Sequence, residues 1–295
     1  MIGLLAGLLA GCAGPVSDRS PVSGRSIITT APNGAREEIP VTVSKPDGPG
    51  PFPAVVIMHD CSGLGLRSSG APGRWARELG ARGYVTVIPD SFTTRGHPDG
   101  VCTDASPSRG EVAPSRRVRD AYAALAHARA LPYVDGRRVG LMGGSHGGST
   151  TLASMAAPQN SGDVLAREEL AGFAAAVALY PSCGVTLGTW RADGTGTYQS
   201  MAPLLILIGE KDDWTPAAPC VKLAASTRAT EQPVAITVYP GAHHSFDSDR
   251  PVRFVAARVN RYAPGGRGAT TGGNATAWAD SIRRVVEFFG ERLKP

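Results

Sequence analysis

Three short stretches hold the residue types needed for attack on an acyl carbon. The first is Gly143, Gly144, Ser145, His146, Gly147, Gly148. A Ser hydroxyl is a weak nucleophile near neutral pH; it needs a His base, and that base needs a carboxylate to fix its tautomer. Glu210, Asp212 and Asp213 stand in GEKDDWTP at residues 209–216, and His243 and His244 in PGAHHSF at residues 240–246. The competing reading of residues 143–148 is a Gly-rich turn or phosphate loop.

These stretches become a constellation only if the chain between them places each at the same end of one sheet. From Pro53 onward, short apolar runs alternate with longer amphipathic ones, the pattern of a parallel sheet with crossover helices. Strands are expected at Ala54 to Met58, Tyr84 to Ile88, Arg138 to Met142, Ala174 to Leu179, Leu204 to Ile208 and Val234 to Tyr239. Most are continuously apolar, as strands covered on both faces should be. Arg36 to Ser44 alternates and reads as part of an antiparallel edge pair. Helices are expected at Arg74 to Arg82, Arg116 to Leu131, Gly148 to Ala157, Ala217 to Thr230 and Ala277 to Leu293, while the Gly- and Thr-rich Pro264 to Asn274 reads as a surface loop. Ser145 then sits in a strand-turn-helix context, where a sharp turn lifts its hydroxyl out of the sheet and flanking Gly avoids clashes. The same turn aims the first free amides of the helix at the substrate oxygen. The acid loop and the His loop each follow a strand, in the order Ser, acid, His.

With GxSxG, an Asp four residues before Pro in GEKDDWTP, and HSF after the last strand, the chain resembles the dienelactone hydrolase family from about Arg36 to its C-terminus. The resemblance implies a single-domain α/β-hydrolase fold, with a mostly parallel central sheet and helices on both faces. It also implies hydrolysis of small esters or lactones through an acyl-enzyme, with Ser145 as nucleophile, His244 rather than His243 as base, and Asp212 rather than Asp213 as acid. Many members carry Cys at the nucleophile position; this chain has Ser. By resemblance the backbone amides of Cys61 and His146 form the oxyanion hole. Arg95 stands where the family binds a substrate carboxylate, and Asp60 matches in charge a family Glu that contacts the nucleophile. Trp214 is a candidate pocket wall, and His59 reads as structural. Two other readings remain: a tethered binding protein that keeps the fold without catalysis, and a peptide- or polyester-cleaving serine hydrolase on the same triad.

Composition narrows the classes. The chain has 295 residues, 42% hydrophobic and 19% charged, and no apolar run of roughly 20 residues that would span a bilayer. Its net charge of +5 comes from 30 basic residues, 26 of them Arg, spread without a basic run, so nucleic acid is not an expected partner. No obligate protein partner is expected. No cofactor or metal site is expected either: His127 is isolated, and His97 with Asp99 and Asp104 lacks zinc-ligand spacing.

Residues 1–10 are apolar and small, and Leu9, Ala10, Gly11, Cys12 resembles a bacterial lipobox, although residues 1–11 contain no Lys or Arg. The expectation is a signal peptide at 1–11, lipidation of Cys12, a flexible tether at 12–33 and the hydrolase domain at 34–295, on an exported, membrane-anchored lipoprotein. An incidental Cys at a frayed apolar terminus is the competing reading. Cys61, Cys102, Cys183 and Cys220 then remain as an even set in an oxidising compartment. Of three possible connectivities, Cys61 with Cys102 and Cys183 with Cys220 place each pair in neighbouring loops of this fold. Four buried free thiols are the alternative.

Overall fold

The computed structural model describes residues 22–157, 172–231 and 233–294. The expected signal peptide, Cys12 and the first part of the expected tether lie outside the described residues. The central sheet opens with β1 (Val22–Thr30) and β2 (Arg36–Ser44), followed by β3 (Phe52–Met58), α1 (Ala71–Gly80) and β4 (Val85–Pro89). It continues through α2 (Pro114–Ala130), β5 (Val134–Gly144), α3 (His146–Met155), β6 (Ala175–Leu179) and β7 (Leu204–Gly209). Then come α4 (Ala217–Ser226), β8 (Val234–Tyr239), β9 (Arg253–Val259), β10 (Arg267–Thr271) and α5 (Ala275–Leu293).

Eight strands form one sheet in the order β1-β2-β4-β3-β5-β6-β7-β8. The pairs β1 with β2 and β2 with β4 are antiparallel, and the rest run parallel. Burial follows the sequence pattern. Every residue of β6 and β7 is buried, while edge strand β8 is half open.

Helices cover both faces, as β5 makes plain. A Cβ on Gly140 would meet the Phe289 ring of α5 at 2.8 Å, whereas one on Gly143 would meet the Gly147 backbone of α3 at 2.5 Å. Residues an odd number apart on a strand point to opposite faces, so α5 and α3 lie on opposite sides of β5. On one side Trp75 of α1 packs edge-on against Trp278 of α5 at 4.7 Å. On the other, the Tyr122 hydroxyl of α2 donates to the Ser154 carbonyl of α3.

Two expectations are corrected. The tether was expected to run to Asn33, but Val22–Thr30 pairs with β2 as an edge strand, burying Ile27 and Thr29. The surface loop expected at Pro264 to Asn274 contains β10, which pairs with β9 in a separate antiparallel ribbon. An Arg-rich strand with exposed Phe254 lacks the apolar run that marks the central strands, so its pairing leaves little trace in the sequence.

Both favoured disulfides are formed, Cys61 with Cys102 and Cys183 with Cys220. The first ties the loop after β3 to the loop after β4, and the second ties the loop after β6 to α4. Replacing Cys183 and Cys220 together by Ser should lower the unfolding free energy by about 2–4 kcal/mol. Urea denaturation reads this directly, and an unchanged midpoint would count against a stabilising bridge.

Candidate active site

Ser145 joins the end of β5 to the start of α3 with φ 54° and ψ −115°, a conformation non-Gly residues rarely adopt. The turn closes because Gly147 lets α3 approach β3: a Cβ there would lie 2.0 Å from the carbonyl oxygen of Met58. The helix therefore begins directly after Ser145, two residues earlier than sequence periodicity suggests. Among the described residues, the amides of His146 and Cys61 have no acceptor, and both residues line the cleft that contains Ser145. They are free to donate to an oxygen there.

His244 brings the three separated stretches together. Its Nε2 lies 2.9 Å from Ser145 Oγ and its Nδ1 lies 2.8 Å from Asp212 Oδ2. With the carboxylate as acceptor, Nδ1 carries the proton and Nε2 is left to accept from the Ser hydroxyl. Asp212 is held in turn: its Oδ1 accepts from the amides of Trp214 at 3.0 Å and Thr215 at 2.8 Å. The Thr215 hydroxyl lies 2.9 Å from Asp212 Oδ2 and 3.0 Å from the Tyr180 carbonyl. The imidazole is packed between the rings of Tyr180 and Trp214, each centred 4.8 Å away, and has no solvent exposure.

The neighbouring candidates have other partners. Asp213 accepts from the amide and the hydroxyl of Thr270, both at 2.8 Å, and so pins β10 over the acid loop. Trp214 lines the cleft and donates its indole N–H to the Val259 carbonyl of β9. His243 takes no part in the relay. The Asp60 carboxylate accepts from the amide and hydroxyl of Ser62 and from the hydroxyl of Ser69, bracing the Cys61 loop. In His59, Nδ1 bonds the Asp60 carbonyl and Nε2 accepts from the Ser91 amide; burial holds its pKa well below the usual value.

Arg95 is the clear correction. All five of its N–H groups are taken, by Asp120, Glu37 and the Ser91 carbonyl. Burial disfavours its charge, but Asp120 and Glu37 outweigh that and raise its pKa. No donor is left for a substrate carboxylate, and Arg95 does not line the cleft.

Several site residues had no sequence signal. Tyr180, at φ 36°, donates its hydroxyl to Asp247 Oδ1 at 2.8 Å, and Trp75 donates its indole N–H to Asp247 Oδ2 at 2.8 Å. Burial raises the pKa of that carboxyl. The His loop is tied to the ribbon through the Gly272 amide, which donates to the His244 carbonyl. The cleft has a volume of about 410 Å³, and Arg109, Arg261 and Tyr262 help to line it. Of these, only Asp247 could have drawn attention, by its position in HHSFD shortly after His244.

The model of the dienelactone hydrolase family matches residues 39–293. The chain belongs to this family. Membership makes it a carboxylic ester hydrolase. A protein of Methylorubrum extorquens with a provisional carboxymethylenebutenolidase name is 26% identical over 243 residues, covering 78% of each chain. Among solved structures, a dienelactone hydrolase-like promiscuous phosphotriesterase from metagenomic libraries aligns with a TM-score of 0.62 at 21% identity, over 91% of this chain and 97% of its own. Apo Thermogutta terrifontis esterase 2 aligns with a TM-score of 0.61 at 18% identity, over 96% and 98%. At these identities the two structures speak for the fold.

Asp212→Asn should lower kcat by about 10⁴-fold through the wrong His tautomer. Asp213→Asn should cost far less, since it loosens only the ribbon; equal losses in ester hydrolysis would contradict this division. Arg95→Met should destabilise the fold by about 3–5 kcal/mol by stranding the buried Asp120, while Glu37 keeps Arg116 as its partner. Its KM should stay near that of the parent, and a large rise in KM without loss of stability would restore a substrate role.

Proposed function

We propose that this family member is a serine hydrolase of small esters or lactones. The observation that carries the reading is the continuous relay from Ser145 Oγ through a fully buried His244 to Asp212, at 2.9 and 2.8 Å. Ser145 Oγ attacks the carbonyl carbon while His244 Nε2 takes its proton. The developing oxyanion is met by the amides of Cys61 and His146. Asp212 stabilises the imidazolium that forms, and His244 returns the proton to the departing alkoxide. Water, deprotonated by the same imidazole, then cleaves the acyl-enzyme and frees Ser145.

A cleft of about 410 Å³ suits a small ligand, which favours small esters over polymeric or peptide substrates. The provisional name of the Methylorubrum relative points toward lactones. A descendant that only binds would have no physical need for all three relay residues. The chain is further proposed to be exported and held at a membrane by acylation of Cys12. Acyl mass on an N-terminal Cys12 supports this, whereas an intact Met1 with unmodified Cys12 contradicts it.

Hydrolysis of a short-chain p-nitrophenyl ester by the parent and by Ser145→Ala tests the reading. The parent should turn over, Ser145 should be labelled by a fluorophosphonate, and Ser145→Ala should lose about 10³-fold or more. A folded parent with neither activity nor labelling would leave a tethered binding module as the better account.

A further inference from the structure

The residue after the nucleophile carries an imidazole whose protonation is set from below. Arg117 of α2 is wholly buried; burial lowers its pKa to about 10, so it remains charged at neutral pH. An Arg guanidinium has only donors. Its Nη1 lies 2.9 Å from the His59 carbonyl oxygen and 2.8 Å from His146 Nδ1. Nη1 has one hydrogen for each, so His146 Nδ1 must accept. A neutral imidazole that accepts at Nδ1 carries its proton at Nε2. Burial, then the nearby positive charge of Arg117, hold the His146 pKa well below its usual value, with His59 and Arg109 acting in the same direction. The ring is thus kept neutral and in one tautomer.

That Nε2–H has no acceptor among the described residues and is not one of the unpartnered polar atoms sealed from solvent, so it is reachable, and His146 lines the cleft alongside Arg109. Phe92 packs edge-on at 5.5 Å and Arg117 stacks over the same Phe92 ring at 4.9 Å, so the imidazole is fixed as well as oriented. A substrate's leaving group must lie against His244 Nε2, which returns its proton. The wall built by His146, on the oxyanion side of Ser145, is left to meet the acyl portion.

We propose that the His146 side chain is a specificity-determining donor, its Nε2–H meeting an oxygen acceptor on the acyl chain of the substrate. This rests on the serine hydrolase reading. The preferred substrates would be oxygen-bearing acyl esters or lactones, such as alkoxy- or oxo-substituted ones, over plain alkanoates of equal size.

The experiment compares p-nitrophenyl methoxyacetate with p-nitrophenyl butyrate, which differ by an ether oxygen in place of a methylene. For the full chain the ratio of their kcat/KM values should fall about five- to tenfold in His146→Phe, the worth of one neutral hydrogen bond. It should recover in His146→Gln, whose amide can still donate, whatever happens to the absolute rates. An unchanged ratio in His146→Phe, or no recovery in His146→Gln, would overturn the proposal. Ring-nitrogen NMR of histidine-labelled parent protein gives an independent reading that does not depend on variants folding. His146 should remain in the Nε2–H form and fail to titrate between about pH 5 and 8. An Nδ1–H tautomer, or titration in that range, would also overturn it. Loss of all hydrolysis in Ser145→Ala, read separately, keeps failure of this inference distinct from failure of the hydrolase reading.

Discussion

A fully buried imidazole can take up a proton only if a negative charge already lies against its other nitrogen, because an isolated charge in such a place is severely penalised. In this chain that constraint is met by the 2.8 Å contact between His244 and Asp212. Much of the surrounding structure serves to hold the two loops that make it. Thr215 and two backbone amides fix Asp212, the rings of Tyr180 and Trp214 clamp the imidazole, and the β9–β10 ribbon is fastened to the acid loop through Asp213 and to the His loop through Gly272. Asp247 extends the same support inward, since it anchors the Tyr180 hydroxyl.

The main sheet and the relay were legible because both rest on local patterns. Continuously apolar runs marked the doubly covered strands, and GxSxG between a strand and a helix marked the elbow. The loops carrying Asp212 and His244 followed from their places after strands, and it is Asp212 that lies against His244 while Asp213 binds Thr270. The ribbon was not legible: its strands, RFVAARV and RGATT, hold no long continuous apolar run, and the bonds that fasten it to Trp214 and Asp213 span 45 and 57 residues. β1 was missed for a related reason, as an edge strand beside a Pro- and Ser-rich stretch carries little periodicity. The substrate role that the resemblance implies for Arg95 fails because its partners lie 25 and 58 residues distant, and no local pattern reveals that its donors are all taken.

The arginine-rich composition has a structural explanation. Arg95, Arg116 and Arg117 are almost wholly buried around Glu37, Asp120 and the loops beneath the cleft. Arg116 and Arg117 stand in the first turn of α2, where positive charge is unfavourable to the helix dipole, and Glu37 and Asp120 offset that. Guanidinium groups suit this work because a planar fork can satisfy several acceptors while remaining charged. On α5, Arg283 and Arg284 pair with Asp280, and Arg283 also with Glu287. Much of the positive charge is therefore spent inside the molecule or balanced locally, in keeping with a sequence that has no clustered basic footprint.

Covalent acylation of Ser145 during turnover is the step that the proposed relay exists to carry out. Rapid quenching of the enzyme with a p-nitrophenyl ester, followed by mass spectrometry of the peptide containing Ser145, measures this directly. The expected result is a transient acyl mass on Ser145 that forms with the burst of nitrophenol and decays as water cleaves it. Turnover with no acyl mass on Ser145, or with the mass on another residue, would contradict the relay from Ser145 through His244 to Asp212.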